Sequence, residues 1–118
     1  MRLVVAPDAE GDFDEIIRTS ADAFGETAAH RYRLLIQQAF ADVLARPDRL
    51  AAPGVPDDLR LYPIRLSRLR APLPDRVGQP RHVLVYRHDA ERLEIVRILH
   101  DRMDIPAALS GSWGSQSG

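Results

Sequence analysis

The chain contains no cysteine and no lysine. Without cysteine there are no disulfides, no thiolate nucleophile and no cysteine-based metal site. Without lysine, all 16 basic side chains are arginine. Arginine stays protonated at any ordinary pH whereas lysine can shed its proton when buried, so one common general base is missing. No run approaches the ~18 to 20 consecutive apolar residues that span a bilayer. The apolar stretch at residues 1–7 is too short for a secretory signal, and a cytoplasmic location is the expectation.

What is present fits one domain: 118 residues, 45% of them apolar, can fill a modest core. The net charge of −1 is unevenly spread. Residues 1–58 hold 11 acidic and 6 basic side chains, giving −5, and residues 59–118 hold 6 and 10, giving +4. A basic second half suits an acidic protein segment or a nucleic acid, and equally a plain solvated surface.

Residues 2–6 read as a short strand. Pro7-Asp8-Ala9-Glu10 opens a helix, with proline in the first turn and carboxylates at the positive dipole end. Ala9, Phe13, Ile16, Ile17, Ser20 and Phe24 form its apolar stripe, and Gly25 caps it. Ala28, Tyr32, Leu35, Ile36, Ala39, Phe40, Val43 and Leu44 repeat at helical spacing up to Pro47, which predicts a helical hairpin. Residues 46–58 are a loop. Residues 59–69 alternate as a strand, with Pro63 marking an edge or bulge. Residues 71–80 are proline-rich and irregular. Residues 81–88 and 92–99 form a β-hairpin around Asp89-Ala90-Glu91. Asp104 caps a last short helix through Leu109, and residues 110–118 are a flexible Gly/Ser-rich tail around Trp113.

If His88 pairs with Arg92, then Val83, Val85, Leu93, Ile95 and Leu99 share one face of the hairpin and cover the helices. Leu84, Tyr86, Val96 and Ile98 share the other and form a groove wall. A one-residue slip exchanges the faces. The same register sets His82 opposite Ile98, with His100 diagonal to it at about 7 to 8 Å. His82 and His88 are roughly 20 Å apart along the strand. Two histidines without a third ligand do not make a metal site, and neither metal nor cofactor is expected. Arg97 interrupts an apolar strand, so it pairs with a carboxylate, reaches the surface, or meets a partner's acid.

The order of strand, helical hairpin and three-stranded antiparallel meander resembles the RelE/ParE toxin fold over about residues 2–109. The Pro7-Asp8-Ala9-Glu10 opening, the Phe24-Gly25-Glu26 turn, Ala28, Tyr32 and the Leu44-Ala45-Arg46-Pro47 ending are similar to the family's first half. Tyr86-Arg87 resembles its Tyr-Arg pair. Leu93-Glu94-Ile95-Val96-Arg97-Ile98-Leu99-His100-Asp101-Arg102-Met103-Asp104 resembles the last strand and ending of ParE members. The chain departs from them at residues 67–79, a longer Arg- and Pro-rich connection than the usual short turn. The implied fold is α+β, a small antiparallel sheet with a two-helix hairpin on one face and a short C-terminal helix.

The resemblance implies the toxin of a type II toxin–antitoxin system, acting either on DNA gyrase, as ParE toxins do, or as a ribosome-dependent mRNA endonuclease, as RelE toxins do. RNA cleavage needs a proton acceptor, a proton donor and phosphate-stabilising charge. RelE members typically use lysine among these, which this chain lacks, although His100 with Arg97 and Arg102 would be the substitute. A non-catalytic gyrase inhibitor is therefore expected first, the endonuclease second, and an inactive antitoxin-binding member third. Target contacts are expected from Tyr86, Arg87, Arg97, His100, Asp101, Arg102 and Met103. A ParD-type antitoxin is the implied partner, with Phe24, Tyr32, Phe40, Leu84, Val96 and Ile98 as contacts. Neither a membrane nor direct DNA contact outside gyrase or the antitoxin complex is expected. Truncation after Leu109 should leave toxicity intact in a growth assay; loss of toxicity would show that Trp113 or its neighbours matter.

Overall fold

In the computed structural model the first strand, β1, is Arg2–Val5. It gives way at Ala6, still extended at φ −65° and ψ 152°, to the helix α1, Pro7–Phe24. Pro7 stands in the first turn, where a missing N–H breaks no helical bond, and Asp8 and Glu10 face the positive dipole end. Gly25 adopts φ +94°, a conformation that L side chains rarely take. The chain turns there directly into α2, Glu26–Ala45, which stops ahead of Pro47. The structure describes residues 1–49, 55–56, 58–70 and 80–114, the side chains of 70 and 110–114 excepted.

Three further strands and a final helix complete the domain: β2 (Arg60–Pro63), β3 (His82–His88), β4 (Arg92–His100) and α3 (Ile105–Gly114). The sheet order is β1-β4-β3-β2. β4 pairs antiparallel with β3, and β3 with β2, but β1 lies parallel to β4. The sheet is thus mixed rather than antiparallel throughout. Asp104 caps α3 as expected, its Oδ1 accepting the Ala107 amide at 3.2 Å. α3 continues past Leu109 to Gly114, while residues 115–118 of the expected tail lie outside the described residues, as do residues 71–79 of the long connection. No helix among the described residues is long and apolar enough to cross a membrane.

The strand expected over residues 59–69 is shorter. It ends at Pro63, and Ile64–Arg70 form a 3₁₀ helix. Proline cannot donate to a ladder beyond that point. The three-residue repeat then puts Ile64 and Ser67, both fully buried, on one face against α2. Ser67 donates its hydroxyl proton to Asp42 Oδ2 on α2, and Gln38 Nε2 donates to Asp42 Oδ1 at 2.9 Å. Because the Ser67 proton is committed to the carboxylate, Tyr62 OH is the donor in its 2.7 Å contact with Ser67 Oγ.

The hairpin register also differs from the expectation. Asp89 closes the turn, its Oδ1 accepting the amides of Glu91 (2.8 Å) and Arg92 (3.0 Å), so that Asp89 faces Arg92 and His88 faces Leu93. The ladder then shifts between Val85 and Tyr86: Tyr86 faces Ile95, but Val85 faces Arg97, which leaves Val96 as an extra residue. Inward positions therefore change from odd to even numbers along β4. Leu84, Tyr86, Leu93, Ile95 and Ile98 pack against α1 and α2, together with Tyr32, Leu35, Ile36, Ala39 and Val43. Val85, Val96 and Leu99 lie in a second cluster with Val55, Leu59 and Leu109. The expected face of Val83, Val85, Leu93, Ile95 and Leu99 is thus split, as is that of Leu84, Tyr86, Val96 and Ile98, because the Asp89 turn shifts the pairing by one residue and the bulge shifts it by another.

The Asp42 carboxylate is the acceptor for the buried network, so replacing it leaves hydroxyl and amide donors without a partner. Asp42→Ala should lower the unfolding free energy by roughly 1–3 kcal/mol, measured from urea midpoints at pH 7. An unchanged midpoint would show that the network does not fasten the 3₁₀ turn to α2.

Candidate functional site

Between the hairpin of helices and the far end of β3 and β4 lies a groove of about 900 Å³. Its apolar wall includes Ile16, Phe24, Ala28, Ile98, Leu99 and Met103, and its polar wall Asp12, Glu15, Arg31, Tyr32, Arg81, His82, Arg97 and His100. Phe24, the last residue of α1, is 78% exposed rather than part of the buried stripe. Met103 is 43% exposed. An open, apolar concavity with a few converging polar groups is the usual form of a recognition site.

Arg97 takes the first of its expected options. Its Nε donates to Asp12 Oδ2 at 2.8 Å and its terminal nitrogen to Asp12 Oδ1 at 3.1 Å, a two-point grip of guanidinium on carboxylate. Asp12 Oδ2 also accepts the Ile98 amide at 2.9 Å. The hydrogen bond to Asp12 holds the Arg97 pKa above the usual arginine value. At the rim, Arg81 Nε donates to both oxygens of Asp101, at 3.1 and 2.9 Å, which holds the Asp101 carboxyl below the usual range.

A chain of three rings crosses the polar wall. Tyr32 OH lies 2.6 Å from His82 Nδ1, and the His82 and His100 rings meet edge to face with centroids 5.1 Å apart. The one-residue shift at the Asp89 turn and the further one at the bulge together set these two imidazoles directly opposite each other rather than diagonally. Burial pushes the Tyr32 hydroxyl up to about 12. Burial, reinforced by the neighbouring His100, lowers His82 to about 4. His100 Nδ1 accepts the Arg102 amide at 3.0 Å. Asp101 Oδ1 is 3.4 Å from the same nitrogen, but in the neutral ring that lone pair already serves the amide. Among the described residues no group of three or more His, Cys, Asp or Glu is arranged to hold a metal ion.

The remaining candidate residues are scattered. Arg87 is exposed at the other end of the hairpin and pairs with Glu94 (2.8 Å) and Asp58 (3.6 Å). Tyr86 is fully buried, and its hydroxyl donates to the Pro47 carbonyl at 2.8 Å. Leu84 is fully buried beneath the helices, Phe40 is partly buried against that core, and Val96 belongs to the opposite face. Arg102 is exposed in the turn before α3. Of the expected contacts, the groove gathers Phe24, Tyr32, Arg97, Ile98, His100 and Met103. Asp12 and His82 were not among them. Asp12 lies three residues from Ala9 and four from Ile16, and a carboxylate on an apolar stripe is a signal that it has a partner inside the protein.

The chain matches the family model of the ParE toxin of type II toxin-antitoxin system, parDE, over residues 3–105. A solved chain of the chromosomal ParDE TA system from P. aeruginosa is similar in fold, with a TM-score of 0.61 at 16% identity, covering 85% of this chain and 95% of that one. No curated protein matches the sequence.

The His82 pKa gives a pH signature. Its ordinary value is 6.5 and the fold holds it at about 4. The unfolded chain takes up this proton as pH falls through 6.5, whereas the folded chain does not until about 4, so stability is full above 6.5 and declines between them. After discounting for solvent screening the loss is on the order of 2 kcal/mol. Urea unfolding of wild type and His82→Gln at pH 7 and at about pH 4.5 should show a smaller pH-dependent loss in the variant. Equal losses would mean that the ring is not held neutral.

Proposed function

The chain belongs to the ParE toxins of type II toxin–antitoxin systems, parDE, and from that membership we propose that it inhibits DNA gyrase and is neutralised by a ParD-type antitoxin lying in the groove. The observation that carries the non-catalytic reading is the Asp12–Arg97 pair. Phosphoryl chemistry needs cationic charge available to the phosphate, and Arg97 is already gripped at two points by a carboxylate. His100 has one nitrogen occupied by the Arg102 amide. Of the three residues an endonuclease would draw on, Arg102 alone stands exposed to solvent.

On this reading the toxin acts in the cytoplasm. The target surface is the segment from Arg97 to Asp104, with the exposed Asp101, Arg102 and Met103 at its tip. The antitoxin offers an amphipathic segment whose apolar side chains cover Phe24, Ile98 and Met103. One observation favours the ribosome-dependent endonuclease instead: His82 and His100 stand side by side in an open groove, an arrangement able to pass a proton.

A supercoiling assay with the purified protein separates the two. Inhibition with accumulation of cleaved DNA complexes is the expected result, and His100→Ala should reduce it only a few-fold. No effect on gyrase from folded protein in excess, together with cleavage of mRNA on translating ribosomes that His100→Ala abolishes, would overturn the proposal.

A further inference from the structure

The groove's two imidazoles have their protons assigned by their partners. Tyr32 OH has no acceptor other than His82 Nδ1 among the described residues, so its proton points at that nitrogen and the His82 N–H must be at Nε2. His100 Nδ1 accepts the Arg102 amide, which likewise puts the His100 proton on Nε2. Neither Nε2 has a hydrogen-bond partner among the described residues, and neither is shut away from solvent. Arg31 lines the same groove, with its Nε buried and without a partner among the described residues.

We propose that these groups form a receptor for one carboxylate, an Asp or Glu set among apolar residues on the face that the antitoxin turns into the groove. The inference rests on the antitoxin reading above and adds the chemistry by which the groove selects its occupant. The two N–H donors match a carboxylate, which is an acceptor on both oxygens. Arg31 adds the charge that makes an acid a better guest than an amide. The apolar wall of Phe24, Ile16, Ala28 and Ile98 covers the flanking side chains and keeps water from the pair. A nucleic acid fits this site poorly. Two of the three arginines that line the groove, Arg97 and Arg81, are already held by Asp12 and Asp101, whereas a phosphate backbone binds through several available cations.

The test is titration calorimetry of this chain with a ParD-type antitoxin that relieves its toxicity on co-expression, whose acidic residues are changed one at a time to the corresponding amides. One such amide should weaken binding to the wild-type toxin about ten-fold or more. Against His100→Phe or Arg31→Met, each checked for an intact fold by thermal unfolding, the same amide should cost no more than about two-fold. If the complex forms and no acid couples to either residue, the carboxylate receptor is wrong and the antitoxin reading stands. If no complex forms at all, that reading itself fails and takes the receptor with it. Independently, the imidazole nitrogens observed by 15N NMR should show protons on Nε2 of both rings in the free toxin. A proton on Nδ1 of either, or a single-stranded RNA oligonucleotide that perturbs these nitrogens while the antitoxin does not, would overturn the proposal.

Discussion

Asp12 reaches from the middle of α1 to β4 and holds two consecutive residues there, the guanidinium of Arg97 and the backbone amide of Ile98. It acts directly beyond the bulged residue Val96, where the ladder has shifted. A bulge leaves backbone groups without ladder partners and bends the strand. The carboxylate accepts an amide of β4 that lies past the end of β1 at Val5, and it neutralises a cation that would otherwise interrupt a buried strand. The change of inward parity along β4 follows from that bulge. With it come the placement of Ile98 beneath the helices, of Leu99 against the second cluster, and of His100 opposite His82.

The groove is a consequence of the same geometry. β3 and β4 extend beyond the end of the helical core, and Arg81 and Asp101 prolong the ladder with a backbone bond of 2.7 Å as well as their ion pair. The projecting sheet end, the exposed Phe24 at the end of α1 and the Met103 turn then enclose a concavity that neither the helices nor the strands form alone. Two of its three arginines, Arg97 and Arg81, are paired with carboxylates of this chain, so what the groove presents is apolar surface, a few directed N–H groups and Arg31. That suits a folded or folding peptide better than a polyanion.

The rest of the chain fastens this frame from behind. On the helical side Asp42, Ser67, Tyr62 and Gln38 bring the 3₁₀ turn onto α2, which anchors the chain where β2 ends. On the opposite face Leu109 is fully buried among Val55, Leu59, Val85, Val96 and Leu99. Burial of one such side chain contributes about 1.5–3 kcal/mol toward docking α3, with Ile105 and Ala108 packed beside it.

The helical hairpin could be read directly from the chain because its signals are local: a proline in the first turn, apolar residues at three and four, a glycine in the one conformation it alone takes freely, and a proline after the end. The β-hairpin, the Asp104 cap and the family likeness rest on short-range patterns of the same kind. The candidate site was only partly legible. Phe24, Tyr32, Ile98, His100 and Met103 could be proposed as contacts, but nothing local indicates that they share one groove. Arg97 visibly required a partner, yet its partner lies 85 residues away, and sequence proximity carries no information about which carboxylate that is. The parity of β4 was beyond reach for a related reason. Leu93, Ile95, Val96, Ile98 and Leu99 are apolar at odd and even positions alike, so two registers bury almost the same surface. The Asp89 turn, the bulge and the pull of Asp12 from another element decide between them. Periodicity therefore determined which segments are helices and strands, while the tertiary structure alone chose which faces meet and which imidazoles stand together, because those choices depend on hydrogen bonds between residues distant in the chain.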